Sequence, residues 1–270
     1  MKPFLKWPGG KYRQVNRICR QLGHGKRLVE PFAGSAAVFL NTDFDYYLLA
    51  DSNSDLINLY IRLQSEGASF IKYCKRFFSA KNNCRNAFYD FREDFNETGD
   101  MRKKSALFLY LNRHGYNGLC RYNSSGEFNV PFGRYNQPYF PAKEMQFFHD
   151  KASRATFRHC RFSETMRQVK QEDVVYCDPP YAPLSNTACF TDYFSGGFNW
   201  EQQIELVEWA GKLSGRGIRV VISNHDIASI TELYRNNGAD MDQFKVRRTI
   251  SCRADNRVKV GELIAVFQPA

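Results

Sequence analysis

Residues 173–181 read Asp173-Val174-Val175-Tyr176-Cys177-Asp178-Pro179-Pro180-Tyr181, a short apolar run followed by a stiff polar turn. The β-branched and aromatic residues of the run predict a buried strand. Because Pro179 and Pro180 cannot donate the hydrogen bonds of a sheet, the strand should stop before them. The pattern therefore predicts that Asp178 and Tyr181 are held rigidly at the carboxyl end of a strand, where open α/β sheets bind their ligands.

These groups suit chemistry at an aromatic amine, whose nitrogen is a weak nucleophile because its lone pair is delocalised into the ring. The Asp178 carboxylate and the Pro179 carbonyl can each accept a hydrogen bond from the amine and draw it towards tetrahedral geometry. Tyr181 can stack on the ring, and all three groups are in place before the reaction begins. The alternative is a strand and a Pro-Pro turn in which Tyr181 is ordinary packing.

Length and charge narrow the class of protein. With 270 residues the chain can bury a sizeable core as one large domain or two small ones. Its formal net charge of +10 favours a polyanionic partner such as nucleic acid. Its eight cysteines include no pair spaced as C-x-x-C, so the sequence indicates neither a zinc site nor a redox pair.

The chain shows no sign of export or membrane insertion. It carries no apolar signal segment at its start and no apolar run of about 18 residues. We therefore expect a cytoplasmic protein with reduced, mostly packed thiols and no membrane association.

The first 55 residues have the pattern of a cofactor-binding α/β unit. A strand is predicted over 27–30, followed by a turn with Phe32 and Gly34, a helix over 36–40 and a second strand over 46–50. Asp51, about 20 residues after the glycine turn, is placed to bind ribose hydroxyls. Because the turn keeps one glycine of the usual fingerprint, the pattern favours a nucleoside-type cofactor over a dinucleotide. The alternative is a plain α/β unit in which Asp51 caps a helix.

Two further segments of the amino-terminal half carry signals. A Pro-Gly-Gly turn is predicted in the segment Trp7-Pro8-Gly9-Gly10-Lys11, where backbone could approach a ligand closely. The alternative is an ordinary N-terminal turn with surface lysines. Ser54 is a candidate cap for a helix that ends at Gly67 and buries Leu56, Tyr60 and Leu63.

Residues 56–140 carry most of the basic excess, with 13 Lys and Arg against 7 Asp and Glu. A helix predicted from 101 to 111 leads into a segment where Asn, Gly and Arg alternate with aromatic residues. This segment predicts an irregular β-hairpin with polar and aromatic tips. Arg and Asn can read base edges and an aromatic ring can wedge between bases. We therefore expect nucleic-acid contact, the alternative being a structural loop domain with a solvated charged face.

Alternating strands and helices return after residue 140. Strands are predicted over 155–160, 218–224, 246–250 and 263–267, with a polar loop over 182–199 and a basic loop over 253–259. Asn199 and Gln202 are candidate caps of a helix whose apolar face includes Ile204, Val207 and Leu213.

In this order the motifs resemble those of the Dam family of DNA adenine-N6 methyltransferases, which act at GATC. The matching segments run nearly the full length: F-L-K-W-x-G-G-K, E-P-F-x-G, the A-D strand end, N-G-L-C-R-Y-N with G-E-F-N-V-P-F-G-R-Y, D-P-P-Y, S-N-H-D, V-R-R-x-I and E-L-I-A. Together these segments are far more specific than D-P-P-Y alone.

The resemblance implies a Rossmann-like methyltransferase fold that uses S-adenosylmethionine as methyl donor and double-stranded DNA as substrate, without a metal. The implied donor contacts are Trp7, Lys11, Phe32, Gly34, Asp51, Phe162 and Asp178. The implied DNA contacts are Lys6, Tyr116, Asn117, Leu119, Arg121, Pro131 and Arg134. Asp178, Pro179 and Tyr181 are the implied catalytic residues, which would act on an adenine flipped out of the duplex.

The resulting hypothesis divides the chain into three segments. Residues 1–55 and 141–270 form a catalytic domain, and residues 56–140 form a helical and β-hairpin DNA-recognition insert. We expect a monomer associated with the nucleoid of a bacterium or encoded by a phage. An N4-cytosine methyltransferase and a non-catalytic DNA-binding protein on the same fold remain alternatives at this point.

Overall fold

The computed structural model describes residues 1–182, 198–247 and 259–269. Its strands are β1 (Arg27–Glu30), β2 (Tyr46–Asp51), β3 (Ala155–His159), β4 (Asp173–Cys177), β5 (Arg219–His225), β6 (Asp240–Arg247) and β7 (Lys259–Phe267). Its helices are α1 (Val15–Leu22), α2 (Ser54–Glu66), α3 (Ala68–Lys75), α4 (Arg85–Glu97), α5 (Met101–His114), α6 (Ala142–Ala152), α7 (Phe162–Arg167), α8 (Trp200–Ser214) and α9 (Ala228–Asn236).

The chain divides into two compact units. The first comprises Met1–Val15, Gly34–Asp43 and Asp51–His159, and the second comprises Asn16–Ala33, Phe44–Ala50 and Cys160–Ala270. The first unit contains α2 to α6 and β3, whereas the second contains α7 to α9 and most of the strands.

The second unit is built on a mixed sheet in which strands follow the order β2-β1-β4-β5-β7-β6. β1 pairs in parallel with both β2 and β4, and β4 pairs in parallel with β5. β7 runs antiparallel to β5 and β6. Since the chain places β2 on one side of β1 and β4 on the other, the strand order reverses at the carboxyl ends of β1 and β4. Such a switch point is where open α/β sheets bind ligands.

The core of this sheet explains why residues 174–177 of β4 form an apolar run. All five residues of β4 are buried, and Val175 packs in one cluster with Val29, Ile222 and Leu206. Each fully buried side chain of this size contributes about 1.5–3 kcal/mol to folding. The predicted α/β fold with a Rossmann-like sheet is confirmed.

The first unit is helical, with an aromatic interior. Leu56, Tyr60 and Leu63 of α2 are fully buried, as the spacing predicted, and Gly67 ends that helix. Phe95 of α4 stacks on Phe108 of α5 at a centroid distance of 6.1 Å. The predicted hairpin after α5 is also present, because Gly115 pairs with Phe132 and Tyr122 with Phe128 in antiparallel bridges.

Three local predictions are wrong. The segment 36–40 is no helix: Ala36 adopts a left-handed conformation with φ of 58°, and only a 3-10 turn at Phe39–Asn41 follows. The cap of α2 is Asn53, whose side chain accepts from the Leu56 N–H, so Ser54 is the first helical residue. Ile204 is 36% exposed, because the buried face of α8 is formed by Gln203, Leu206, Val207, Ala210 and Leu213.

Some predicted elements reach outside the described residues. These are most of the polar loop over 182–199, the last three residues of the strand predicted over 246–250, and the basic loop over 253–259 apart from its final residue. The Asn199–Gln202 capping box at the start of α8 is confirmed.

Candidate functional site

The end of β4 in the second unit presents the predicted acceptor groups. Asp178 directly follows the strand and is half-buried, Pro179 is buried, and Tyr181 is half-buried. The preceding Tyr176 hydroxyl lies 2.9 Å from the Ser223 hydroxyl inside the sheet. Burial and the nearby Asp178 carboxylate raise the pKa of Tyr176 well above its usual value, so this phenol stays neutral.

Three aromatic rings form a cluster in the second unit. Two of them, Phe32 and Phe162, follow β1 and β3 in the sequence. The rings of Phe32 and Phe162 stack with centroids 5.4 Å apart and an interplanar angle of 23°. Phe198 meets Phe32 edge-on at 5.5 Å. Phe162 and Phe198 are buried, whereas Phe32 is half-buried, so Phe32 offers the partly open ring of this set.

In the first unit the backbone of Gly34 is held from three sides. Its N–H donates to Asp51 Oδ2 at 2.9 Å, and its carbonyl accepts from the Tyr60 hydroxyl. A Cβ built on Gly34 would stand 3.0 Å from Nε1 of Trp7, so the indole packs directly on the glycine. A side chain at this position would press against the indole, and glycine adopts the φ of 45° without strain.

The Asp51 carboxylate also organises the chain that follows it. Its Oδ1 accepts from the Asn53 N–H at 3.0 Å, and the Asn53 side chain in turn donates to Cys120 Sγ at 3.3 Å. Burial raises the pKa of Asp51, although hydrogen bonds from Gly34 and Asn53 and the nearby His159 oppose that shift.

The glycine turn at 7–11 folds back on itself. The Gly10 N–H donates to the Trp7 carbonyl at 3.1 Å, and Gly9 has a φ of 73°. Lys11 is 5% exposed, and its ammonium donates to the Gly9 carbonyl at 2.5 Å. The first unit thus brings together Trp7, Gly34 and Asp51, with Lys11 in the same turn as Trp7.

The hairpin after α5 is anchored by side chains of the helices beneath it. The Asn96 amide on α4 accepts from the Phe128 N–H at 2.8 Å and donates to the Phe128 carbonyl at 3.3 Å. The Tyr122 hydroxyl donates to Asp55 at 2.7 Å. Because both strands of the hairpin are fixed in this way, the residues at its surface have a rigid base.

The residues predicted to contact DNA lie on this hairpin and around it. Tyr116, Asn117, Arg121, Pro131 and Arg134 are exposed, and Leu119 is half-buried. Asn117 and Arg134 take left-handed conformations with φ of 53° and 54°, which few residues other than glycine adopt. The Arg121 guanidinium donates to the Asn129 side chain at 2.7 Å and to its carbonyl at 3.2 Å.

Lys6 lies beside the hairpin and is half-buried. Its ammonium donates to the Arg113 carbonyl at 3.1 Å and stands 3.8 Å from the ring centre of Tyr135. Burial, and secondarily the positive charge of Arg113, lower its pKa to about 8. The Tyr135 hydroxyl accepts from the Asn117 N–H at 2.9 Å and so connects Lys6 with the exposed turn.

Several residues of these arrangements were not singled out from the sequence. Tyr135 stands in the F-G-R-Y motif, and its position next to Arg134 was the available signal. The contacts of the Asn53 side chain with Cys120, of the Tyr60 hydroxyl with Gly34 and of Phe198 with Phe32 join residues far apart in the sequence, which a local pattern does not reveal.

Among the described residues, no three His, Cys, Asp or Glu side chains are placed to share a metal ion. Within those same ranges, no helix is both long and apolar enough to cross a membrane.

Comparison with known proteins identifies the family. Residues 7–250 match the family described as D12 class N6 adenine-specific DNA methyltransferase. The chain belongs to this class. A D12-class enzyme methylates adenine in DNA at specific sites, and DNA is therefore the substrate of this chain.

The curated relatives of this D12-class methyltransferase match over almost the whole chain. The DNA adenine methylase of Vibrio cholerae is 50% identical over 269 residues, which cover 99% of this chain and 96% of the relative. The DNA adenine methylase of Escherichia coli K12 is 49% identical over 268 residues, with 99% and 96% covered. That of Serratia marcescens is 47% identical over 268 residues, with 99% and 98% covered.

Proposed function

We propose that the chain transfers a methyl group from S-adenosylmethionine to N6 of the adenine in duplex GATC, after flipping that adenine out of the helix. The observation that carries the proposal is the position of Asp178 and Pro179, directly after a buried strand at the switch point of the sheet, in a chain of the D12 class. The identity near 50% with DNA adenine methylases supports the reaction and its site.

The first unit offers groups that fit a nucleoside donor. Trp7 packs on Gly34 without an intervening side chain, and the Asp51 carboxylate is fixed by two backbone N–H groups while keeping lone pairs for hydroxyls. We assign Asp51 to the ribose and Trp7, Lys11 and Gly34 to the rest of the donor. In the second unit, the ring of Phe32, stacked on Phe162, is assigned to the adenine moiety.

S-adenosylmethionine, when bound, supplies an electrophilic methyl group on a sulfonium centre. The residues of the chain prepare the nucleophile. Asp178 and the Pro179 carbonyl accept the two amine hydrogens, which localises the nitrogen lone pair, and Tyr181 stacks on the flipped base. Asp178 orients the amine and stabilises developing positive charge. Transfer is a direct in-line displacement: the bond from N6 to the methyl carbon forms as the sulfur–methyl bond breaks, the sulfur leaves as a neutral thioether, and the nitrogen then loses a proton to solvent.

Residues 56–140 are proposed as the DNA-recognition insert between catalytic segments 1–55 and 141–270. Arg121 and Arg134 on the hairpin, with Lys6 beside it, are assigned to guanine or phosphate. Asn117, Leu119 and Pro131 are assigned to the base side, and exposed Tyr116 fills the space that the flipped adenine leaves. We propose that the chain acts as a monomer on double-stranded DNA in the cytoplasm, associated with the nucleoid of a bacterium or encoded by a phage.

A single assay tests donor, product and site together. An unmethylated GATC duplex and one with a single changed guanine are incubated with labelled S-adenosylmethionine and then digested to nucleosides. N6-methyladenine from GATC alone is the expected product. Equal methylation of both duplexes would overturn the GATC assignment, and N4-methylcytosine would overturn the adenine assignment.

Variants of Asp178 test the mechanism. Asp178→Ala should abolish turnover while DNA affinity changes little, because the carboxylate acts on the amine after the base has left the stack. Glu172→Gln, which removes an exposed carboxylate paired with Lys26, is the matched control and should retain full activity. Full activity in Asp178→Ala would disprove the mechanism.

A further inference from the structure

Two buried amide side chains of the second unit bracket Tyr181. The Gln203 Nε2 group on α8 donates to the Pro180 carbonyl at 3.2 Å. Asn224 Oδ1, near the end of β5, accepts from the Ala182 N–H at 3.4 Å. The backbone is therefore held on both sides of Tyr181, immediately before the ring and immediately after it.

The two amides form one connected network. Asn224 Nδ2 donates to Gln203 Oε1 at 3.1 Å and to the Tyr234 hydroxyl at 2.9 Å. Its Oδ1 also accepts from the His225 N–H at 2.9 Å. Each amide is thus fixed in one orientation, since reversing either one would place donor against donor or acceptor against acceptor.

This network lies inside an apolar cluster. Gln203 and Asn224 are both 0% exposed, and the cluster around them includes Phe198, Leu206 and Ile222. Replacing such a polar pair by apolar groups of the same shape is often neutral or stabilising, whereas a well-satisfied polar network specifies one geometry. The arrangement is therefore suited to setting a position more than to adding stability.

His225 completes the enclosure of the ring. Its Nδ1 lies 2.8 Å from the Ala182 carbonyl, and its imidazole meets Tyr181 edge-on with centroids 4.7 Å apart and an interplanar angle of 74°. Tyr181 is therefore bounded by two backbone anchors and one aromatic edge. A shift in either anchor moves the ring and the adjacent Pro180 peptide together.

We propose that Gln203 and Asn224 are positioning residues for methyl transfer, which set the plane of Tyr181 against the target base. The inference rests on the proposed function, because it takes Tyr181 as the surface on which the flipped adenine stacks. Neither amide touches the reacting atoms. Their loss should slow the chemical step, as a misplacement of about 1 Å can reduce a rate about 100-fold, and should leave the affinity for DNA and donor near that of the wild type.

The test compares Gln203→Leu with Gln202→Leu, a change at the preceding position of the same helix. Gln202 closes the capping box with Asn199, so its loss weakens the start of α8 and leaves the network around Tyr181 in place. We expect Gln203→Leu to lower the single-turnover rate on GATC duplex by about 10- to 100-fold with KM values within twofold of wild type. Gln202→Leu should keep the wild-type rate even if its Tm falls as far as that of Gln203→Leu.

Gln203→Glu gives a second, independent readout. A glutamate retains the acceptor for Asn224, but it can donate to the Pro180 carbonyl only when it is protonated. Burial raises the pKa of such a carboxyl, so the rate of Gln203→Glu relative to wild type should rise as pH falls. A substitution whose effect is only on stability would not show this recovery.

Two results would overturn the proposal. One is a wild-type single-turnover rate in both Gln203→Leu and Gln203→Glu at every pH. The other is an equal loss of rate in Gln202→Leu and Gln203→Leu. Failure of the proposed function is distinguishable from both, because the wild-type enzyme itself would then place no methyl group on GATC.

Discussion

The indole of Trp7 lies against the backbone of Gly34, so closely that a methyl group on residue 34 would press against the ring. The glycine is also pinned by Asp51 and adopts a φ of 45°. This pair of residues therefore forms a surface made of one aromatic edge and bare backbone, which suits close approach by a flat or extended ligand.

Gly34→Ala should weaken donor binding, because the new methyl group would stand 3.0 Å from Trp7 Nε1 and the left-handed conformation would be strained. We expect about 1–2 kcal/mol of lost stability from the backbone strain, together with a raised Kd for S-adenosylmethionine measured by calorimetry. Gly99→Ala, where nothing lies within 4 Å, is the matched control and should bind as the wild type does. Adding Trp7→Ala should partly relieve the clash, and strictly additive effects of the two changes would contradict this account.

The proposed contact of Lys6 with DNA should make DNA binding sensitive to mildly alkaline pH. Its pKa of about 8 lies below the usual value, so the ammonium that we assign to DNA is progressively lost as pH rises through 8. DNA affinity of the wild type should therefore fall between pH 7 and pH 9 more steeply than that of Lys6→Arg, which stays charged throughout. Equal pH profiles for the two proteins in fluorescence anisotropy would show that Lys6 does not contribute its charge to binding.

The salt dependence of DNA affinity distinguishes whether Arg134 contacts a phosphate or a base. If it contacts phosphate, Arg134→Gln should lower the slope of log K against log salt by about 1 and weaken all sequences alike. If it contacts guanine, discrimination between GATC and a changed site should fall by about 1–3 kcal/mol instead. Lys212→Gln, an exposed change on α8 outside the proposed contact set, should alter neither quantity.

His114 should make folding stability depend on acidic pH. It is 1% exposed, its ring stacks on Tyr110 at 3.9 Å, and burial lowers its pKa to about 4 from 6.5. Because only the unfolded chain binds the proton between these values, stability is present above pH 6.5 and is lost as pH falls towards 4, by about 3 kcal/mol in all.

The comparison for this effect is His114→Asn, whose amide nitrogen can replace the Nδ1 contact to the Tyr110 carbonyl without titrating. Urea unfolding at pH 7 and pH 4.5 should show a smaller loss of stability in the variant than in the wild type. The same loss in both proteins would assign the acid sensitivity to other groups.

The sequence predicted those parts of the fold that depend on local pattern. β4 was predicted because residues 174–177 form an apolar run that prolines terminate, and Asn199 with Gln202 because a capping box has a fixed spacing. The helix predicted over 36–40 does not form, because an apolar sequence does not reveal the left-handed backbone of Ala36, whose φ of 58° interrupts the helical path.

The residues of the proposed site came from two kinds of sequence signal. Residue types at strand ends pointed to Asp51 and Asp178, whereas Lys6 and Arg134 were proposed from the family motifs. Gln203 was not recognised, because a glutamine in an amphipathic helix normally faces solvent. Its burial depends on Pro180 and Asn224, which lie 23 and 21 positions away and follow no helical or strand period.

The pairing of Asn112 with Lys6 bears on the order in which the first unit folds. The buried Asn112 amide accepts from the Lys6 N–H at 2.9 Å and donates to its carbonyl at 2.7 Å, across 106 positions of chain. Closing a loop of this length costs about 4 kcal/mol in chain entropy beyond a constant. During synthesis the residues around Lys6 emerge first, but they can dock on Asn112 only after α5 has been made. Since Gly118 packs directly on the Lys6 side chain, hydrogen exchange at the Lys6 amide should report when the base of the hairpin becomes native.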